Sequence, residues 1–226
     1  MRKVINRAPS PDKKILEQYR SFLKLFSPTC VIADSMERSG IMRSEIKPID
    51  STDCRICGPA LTVRLFPGDL VDCLDALGVA REGDLIVVDA RGETETSIWG
   101  GLMAGLCKQK GVVGAVIDGA CRDIDEVKYH KFPLFSRAIV PRSTHTPYSK
   151  RMEPIEINVP IECGGIIVHP GDIVVADEVG VVVVPWSEAA QVAEKAKDLF
   201  EKEELTRRRI AEGKTLEQIL EEFGRL

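Results

Sequence analysis

The segment at residues 111–126, GVVGAVIDGACRDIDE, constrains the fold of this chain more than any other. It opens with a short apolar run broken by one glycine, which is typical of a buried strand. Asp118 and Gly119 then predict a turn, and a helix is expected to begin near Asp123. In α/β folds, chemistry is often placed where such a strand ends. The charged pair of Arg122 and Asp123 therefore indicates a candidate functional site.

Apolar periodicity and turn residues predict similar units on both sides of this segment. Helices are expected at 11–26, 33–40, 69–80, 101–110 and 123–130, and strands at 58–66, 84–90, 112–117 and 134–140. A polar loop is expected at 91–98. A loop rich in Pro, Ser and Thr at 141–154 is followed by short strands with Gly and Pro turns. The chain ends in a charged helical region interrupted at Gly213.

This order of elements argues against a doubly wound fold, because the late strands have no helices between them. The sequence predicts an α/β fold with a mixed sheet curled toward a barrel, helices on one side and a C-terminal helical tail. We expect an N-terminal helical segment at 1–30, a core domain at 31–186 and a C-terminal helical extension at 187–226.

Length and charge exclude several classes of protein. The chain has 226 residues, 44% of them hydrophobic, which is enough for one buried core. A net charge of −4 provides no basic surface for nucleic acid. No apolar run approaches the ~20 residues of a membrane span, and the N-terminus lacks the apolar segment of a secretory signal. We expect a cytoplasmic protein with no nucleic-acid or membrane partner.

The seven cysteines are scattered, and in a cytoplasmic protein they are expected to be reduced. Cys54 and Cys57 form a CxxC motif without a second pair at zinc spacing. The motif precedes a predicted strand rather than opening a helix, so we interpret it as structural. Cys121 adjoins the charged pair and could be reactive, although packing of a small buried side chain is favoured.

Asp123 has two interpretations. It could cap the helix that follows, with Glu126 completing an acidic variant of the capping box. Arg122 favours a second interpretation, because a cation at a helix start is unfavourable unless an anion is bound there. The Arg fork suits a carboxylate, and the adjacent Asp suits a hard divalent cation.

A second candidate element, WGGLM at residues 99–103, opens a predicted helix. Free backbone N–H groups at a helix start bind carboxylate or phosphate, and glycines allow close approach. Taken alone, the segment is better explained as a plain helix entry with glycines chosen for packing. It lacks the Lys-Ser/Thr of a P-loop and the GxGxxG spacing of a dinucleotide site.

The remaining polar residues give weaker signals. His130, His145 and His169 lack metal-ligand spacing, and we expect His130 and His169 at the surface or in turns. No GxSxG nucleophile motif is present. The charged run FEKEELTRRR at 200–209 predicts a solvated helix face, or alternatively presents Glu203 to the site of a neighbouring subunit.

Several segments together match one known family in order over about residues 30–213. They are ADSM (33–36), GPALTV (58–63), PGD (67–69), GDLIVVDARG (83–92), WGGLMAG (99–105), GAVIDGACRD (114–123), NVPIECGG (158–165) and PGDIVVADEVGVVVVP (170–185). The chain thereby resembles the RraA-like family, which includes 4-hydroxy-4-methyl-2-oxoglutarate (4-carboxy-4-hydroxy-2-oxoadipate) aldolases and regulators of ribonuclease E. The resemblance implies a swivelling β/β/α fold and homotrimers or homohexamers with sites between subunits.

For the aldolases, the resemblance also implies residue roles. Asp123 would bind Mg²⁺ or Mn²⁺, and Arg122 would hold the pyruvyl part of a 2-oxo acid and stabilise its enolate. Backbone amides at the preceding helix start would hold the substrate carboxylate: Gly100, Gly101, Leu102 and Met103. Glu203 best matches an acid that approaches the metal's waters from the adjacent subunit.

One position departs from the family pattern. The aldolases usually carry Asp or Glu where this chain has Gly101, so the resemblance implies a missing proton-transfer carboxylate. We predict a divalent-metal-dependent C–C lyase, either an aldolase of this type or an oxaloacetate decarboxylase, in which decarboxylation exceeds aldol cleavage. The alternative is a non-catalytic regulator of ribonuclease activity. A methyltransferase has no supporting cofactor motif.

Overall fold

The computed structural model of the protein describes residues 3–9, 12–65, 71–144 and 155–224. The helices are α1 (Lys13–Phe22), α2 (Pro28–Ser35), α3 (Val71–Val79), α4 (Gly101–Gln109), α5 (Ile124–Tyr129), α6 (Ala189–Ala211) and α7 (Leu216–Phe223). The strands are β1 (Lys3–Ile5), β2 (Lys47–Pro48), β3 (Ile56–Arg64), β4 (Leu85–Trp99), β5 (Gly114–Cys121), β6 (Leu134–Ile139), β7 (Ile155–Ile157), β8 (Ile161–Cys163), β9 (Ile166–Val168), β10 (Ile173–Ala176) and β11 (Val181–Val184). The PGD motif, His145 and most of the predicted 141–154 loop lie outside the described residues.

Nine of these strands form one mixed sheet. Strands β3, β4, β5 and β6 are parallel neighbours in chain order. Strand β7 pairs antiparallel with β3, and β1 adds to β7 in parallel. The β10–β11 hairpin also joins β3, while β8 and β9 form a separate two-stranded sheet. This mixed sheet, with the C-terminal helices α6 and α7, confirms the predicted fold class.

Alternation along the parallel strands separates two apolar layers. Val63, Val88 and Ile117 belong to the cluster that α3, α4 and α5 cover. Val87 and Val116 belong to the opposite cluster, which the late strands cover. A third cluster joins α1, α2 and α6 to β10 and β11. Helices α4 and α5 therefore lie together on one side of the sheet, each beginning where a parallel strand ends.

Two local predictions are wrong. Residues 91–98 are not a loop, because β4 continues to Trp99 with register shifts against β5. Asp118 and Gly119 do not form a turn but lie inside β5. A Cβ on Gly119 would come within 2.8 Å of the Ala90 Cβ, so this glycine permits close approach of the neighbouring strand rather than chain reversal.

The partners of the buried Asp118 carboxylate explain why an acidic residue is tolerated inside β5. It pairs with Arg137 on β6 and accepts a 2.7 Å hydrogen bond from the N–H of Gly164. A buried charge needs such partners to offset its lost hydration. Asp118 therefore ties β5 to β6 and to the turn between β8 and β9.

The helix expected at 33–40 instead spans Pro28–Ser35. Pro28 occupies the first helical turn, where its missing N–H and fixed φ favour helix initiation. None of the described helices combines the length and apolarity needed to cross a membrane.

Candidate active site

The pairing of β4 with β5 brings the two predicted elements of the site together. Trp99 and Cys121 are partners at the ends of these strands, and the N–H of Arg122 donates to the Trp99 carbonyl at 2.9 Å. Gly100 directly follows β4, and Arg122 and Asp123 are the two residues that follow β5. The start of α4 thus lies against the start of α5.

The Asp123 side chain faces α4 rather than capping its own helix. Asp123 is the N-cap residue of α5 with φ 52°, in the left-handed region, and its carboxylate makes no capping hydrogen bond. Instead, Oδ2 lies 3.3 Å from Nε of Arg122 and accepts a hydrogen bond from the N–H of Gly101 at 3.4 Å. The capping-box interpretation is therefore wrong for this side chain. Non-glycine residues in strained conformations of this kind cluster at functional sites.

Gly100 is required by the position of the Asp123 carboxylate. A Cβ at residue 100 would overlap Oδ2 of Asp123 and lie 3.4 Å from Cγ of Arg122. The backbone of Gly100 is extended, so the constraint comes from close approach and not from its φ angle. Even an Ala at this position would displace the candidate metal-binding carboxylate.

Gly101 and Gly105 make room for two polar side chains of α5. A Cβ on Gly101 would overlap the Glu126 side chain, and one on Gly105 would come within 2.8 Å of Nε2 of His130. Oε1 of Glu126 lies 3.7 Å from Nε2 of His130. The space beside residue 101 thus contains a carboxylate from α5. The sequence indicated Glu126 only as a capping residue, because nothing in it shows that two glycines on α4 face α5.

A cleft of about 280 Å³ adjoins the Arg122–Asp123 pair. Its described lining residues come from α3, the end of β4, α4, the start of α5 and the segment after β6: Cys73, Leu74, Ser97, Ile98, Trp99, Gly100, Leu102, Met103, Leu106, Arg122, Asp123, Ser143 and Thr144. Three of the four predicted amide-donor residues line it, whereas the Gly101 N–H contacts Asp123. No sequence motif indicated the α3 wall, which depends on tertiary packing alone.

Helix α4 supplies the anion-binding potential of this cleft. The first N–H groups of a helix have no acceptor within the helix, and the positive end of the helix dipole favours a bound anion. The Gly101 amide donates its hydrogen bond to the Asp123 carboxylate. The amides of Gly100, Leu102 and Met103 are the remaining candidates for a substrate carboxylate.

Within one chain, Glu203 lies away from the cleft beside Arg122 and Asp123. It is on α6, where its carboxylate pairs with Arg207 at 2.6 Å, and it lines a separate cavity between α6 and α7. Its predicted role in the site of a neighbouring subunit stays a prediction.

The cysteines have the surroundings expected of structural residues. Cys54 and Cys57 are buried and form no disulfide, and burial raises the pKa of Cys57 to about 12. Burial also raises the pKa of Cys121, whose sulfur lies 3.2 Å from the Ser136 hydroxyl. A thiol that stays protonated is a poor nucleophile. Cys121 is therefore a packing residue behind the charged pair.

A family model described as RraA-like, Aldolase/RraA, matches residues 29–183. The chain belongs to the RraA-like family. The match includes the segments that form the cleft, from α3 through Asp123.

Individual RraA-like proteins carry two kinds of name. A Halalkalibacterium halodurans protein provisionally named 4-hydroxy-4-methyl-2-oxoglutarate aldolase is 38% identical over 185 residues, covering 82% of this chain and 85% of the relative. A Thermus thermophilus protein named 4-hydroxy-4-methyl-2-oxoglutarate aldolase is 30% identical over 131 residues, covering 58% and 76%. The crystal structure of Streptomyces coelicolor RraAS2, described as an unusual member of the RNase ES inhibitor RraA family, is 30% identical with a TM-score of 0.73, covering 88% and 100%.

Proposed function

We propose that this chain is a divalent-metal-dependent C–C lyase that acts on 2-oxo acids through a pyruvate enolate. The reactions would be aldol cleavage of substrates of the 4-hydroxy-4-methyl-2-oxoglutarate type, decarboxylation of oxaloacetate, or both. The observation that carries the proposal is the convergence of Arg122, Asp123 and the N-terminus of α4 at one cleft. The names of the H. halodurans and T. thermophilus relatives support lyase chemistry.

Both reactions leave the same enolate. In aldol cleavage, the C3–C4 bond breaks, its electron pair enters the enolate, and the C4 hydroxyl loses its proton as it becomes a carbonyl. In decarboxylation, the broken bond releases CO₂ and needs no hydroxyl deprotonation. In each case a proton then adds at C3. The Gly100, Leu102 and Met103 amides would hold the substrate carboxylate, and Arg122 would supply fixed positive charge to the enolate oxygen.

Asp123 would hold the divalent cation, Mg²⁺ or Mn²⁺. Its carboxylate is a hard oxygen donor, and 38% of its side-chain surface is exposed, which leaves space for the several waters that Mg²⁺ retains. No three His, Cys, Asp or Glu side chains come together as a metal-binding group within the described residues, so Asp123 would act as a single direct ligand there. The bound cation supplies an electron sink that polarises the 2-oxo group.

The first test is pyruvate release from oxaloacetate and 4-hydroxy-4-methyl-2-oxoglutarate with Mg²⁺. EDTA should abolish activity, and Mg²⁺ or Mn²⁺ should restore it. Asp123→Asn should remove activity because the proposed cation loses its protein ligand. Asp125→Asn is the matched control, because Asp125 is exposed on the same helix and does not line the cleft. Full turnover in EDTA contradicts metal dependence.

Arg122→Lys separates charge from geometry. Lys keeps the positive charge but loses the planar fork, so kcat should fall by at least about 10²-fold, as for loss of one preorganised donor. Arg208→Lys, at an exposed position on α6, controls for the substitution itself. Kinetics of Arg122→Lys close to wild type would show that this Arg is structural.

The second candidate is a non-catalytic regulator of ribonuclease activity. The similarity to S. coelicolor RraAS2 favours it. Inhibition of a ribonuclease by the purified chain, together with no pyruvate release from any 2-oxo acid tested, would support the regulator over the lyase.

A further inference from the structure

We propose that Glu126 is a second carboxylate of the cation site, where it binds a water of the ion that Asp123 holds. The inference rests on the proposed function for the presence of the cation. It adds a residue from the first turn of α5 to the site. It concerns the affinity of the protein for the cation and not the transfer of a proton during the reaction.

The carboxylates of Asp123 and Glu126 meet the start of α4 at neighbouring residues. Oδ2 of Asp123 occupies the space of a Cβ on Gly100, and Oε2 of Glu126 occupies the space of a Cβ on Gly101. The N–H of Gly101 also donates to Oδ2 of Asp123 at 3.4 Å. Both carboxylates therefore lie beside the same residue of α4, one at its N–H and one at its Cα.

Packing between α4 and α5 fixes the position of the Glu126 carboxylate. Gly101 and Gly105 are one turn apart on α4, and they face Glu126 and His130, which are one turn apart in the sequence of α5 and its C-cap. Oε1 of Glu126 lies 3.7 Å from Nε2 of His130, and Oε2 lies on the side of Gly101. The two glycines thus admit an acidic side chain whose second oxygen is directed at the start of α4.

Two carboxylates at one helix start fit a hydrated divalent cation. Mg²⁺ is commonly bound through one or two carboxylates and keeps several of its waters. Arg122, at 3.3 Å, offsets the charge of Asp123, and a bound cation would offset that of Glu126. The side chains of Asp123 and Glu126 are 38% and 40% exposed, which leaves space for water at both.

Binding of Mn²⁺ alone tests the inference without turnover, with free Mn²⁺ measured by electron paramagnetic resonance. Glu126→Gln keeps the size of the side chain and removes its charge. The Mn²⁺ dissociation constant should rise at least about tenfold, as for loss of other residues that orient metal ligands. Asp125→Asn is the matched control, because Asp125 is an exposed acid in the same turn of α5. Its dissociation constant should change by no more than about twofold, since water and salt screen exposed charges.

The same assay separates this inference from the proposed function. Asp123→Asn should abolish specific Mn²⁺ binding. If it does, but Glu126→Gln binds Mn²⁺ no more weakly than Asp125→Asn, the inference is overturned and the proposed function stands. If the wild type shows no binding that depends on Asp123, the inference falls together with the proposed cation. If Mn²⁺ binds as expected but no 2-oxo acid releases pyruvate, the lyase proposal fails and the role of Glu126 stands.

Moving the carboxylate from α5 to α4 tests whether its location matters. Glu126→Gly should weaken Mn²⁺ binding as Glu126→Gln does. Adding Gly101→Asp should restore most of the affinity, because the new carboxylate enters the space that Glu126 leaves. Gly101→Asn with Glu126→Gly is the control of similar size without charge and should restore nothing. Urea unfolding checks that both double variants are folded, and equal Mn²⁺ affinities of the two folded proteins would overturn the inference.

Discussion

At the scale of single residues, the site depends on positions where no larger side chain fits. Asp123 adopts a left-handed backbone conformation that costs a non-glycine residue about 1–2 kcal/mol. The position of its carboxylate in turn leaves no space for a Cβ on Gly100. The two positions therefore act as one unit, in which a glycine on α4 permits a carboxylate from α5. The sequence could show that both residues open helices, but not that the two openings touch.

Gly101→Asp tests the neighbouring position. Because its Cβ would overlap the Glu126 side chain, the substitution should lower the free energy of unfolding by about 1–3 kcal/mol, as in other overpacked sites. In the double variant with Glu126→Gly, which also removes the Glu126 Cβ that would lie 2.5 Å from the added Cβ, most of this loss should disappear apart from about 1 kcal/mol of helix propensity in α5. Urea unfolding of both single variants and the double variant measures the coupling.

Gly78→Ala is the control for adding a methyl group, because nothing lies within 4 Å of a Cβ there and α3 should gain up to about 1 kcal/mol in helix propensity.

The kinetic readout uses the double variant. If an Asp at residue 101 transfers the hydroxyl proton, aldol cleavage should rise relative to oxaloacetate decarboxylation by the ~10²-fold of a positioned acid or base. An unchanged ratio in a folded, active double variant would remove the proposed role of this position.

At the scale of elements, prediction succeeded where one signal dominates. Apolar runs without alternation identified β3, β5 and the first half of β4, since strands buried on both faces are largely apolar. It failed where tertiary partners override local propensity. Asp118 and Gly119 resemble a turn, yet Arg137 and the Gly164 N–H satisfy the Asp inside the sheet. No local pattern specifies partners so distant in sequence.

Removing the Asp118 charge should therefore weaken the junction of β5, β6 and the β8–β9 turn. Asp118→Asn removes the buried carboxylate from the Arg137 guanidinium, whose side chain is only 12% exposed, and leaves it the exposed Glu45 carboxylate at 4.0 Å. We expect a loss of about 3–5 kcal/mol, the range for breaking a buried pair. Glu178→Gln breaks the more exposed pair with Arg55 and should cost no more than about 1 kcal/mol. Similar losses in urea unfolding for both variants would contradict a structural role for Asp118.

At the scale of the whole molecule, three apolar layers join segments from throughout the chain. The cluster of α1, α2, α6, β10 and β11 connects the N-terminal and C-terminal regions. Helix α7 extends beyond it and leaves Leu216 and Leu220 about half exposed. The family resemblance predicts that copies of the chain assemble as trimers or hexamers. One sequence indicates the helices of such an extension but does not fix where they dock.

Mixing two variants tests whether subunits share a site. Asp123→Asn and Glu203→Gln should each be inactive if Glu203 completes the site of a neighbouring copy. Unfolding and refolding them together should restore part of the activity, because some sites then combine an intact Asp123 with an intact Glu203. Asp123→Asn refolded with Glu201→Gln is the control, because Glu201 is an exposed neighbour on α6 and this variant keeps both Asp123 and Glu203. Its activity shows how much the refolding procedure itself recovers. Sedimentation of the mixture checks assembly, and a fully active monomer would rule out a shared site.

The pairing of β1 with β7 has a consequence for how the protein is made. Asn6 and Asn158 exchange hydrogen bonds across a separation of 152 residues, next to the parallel pairing of the two strands. Synthesis proceeds from the N-terminus at about 5–20 residues per second. Strand β1 leaves the ribosome before β7 and must therefore wait many seconds for its partner. During that interval its edge is open to wrong partners, and a nascent chain that stalls before β7 cannot complete the sheet.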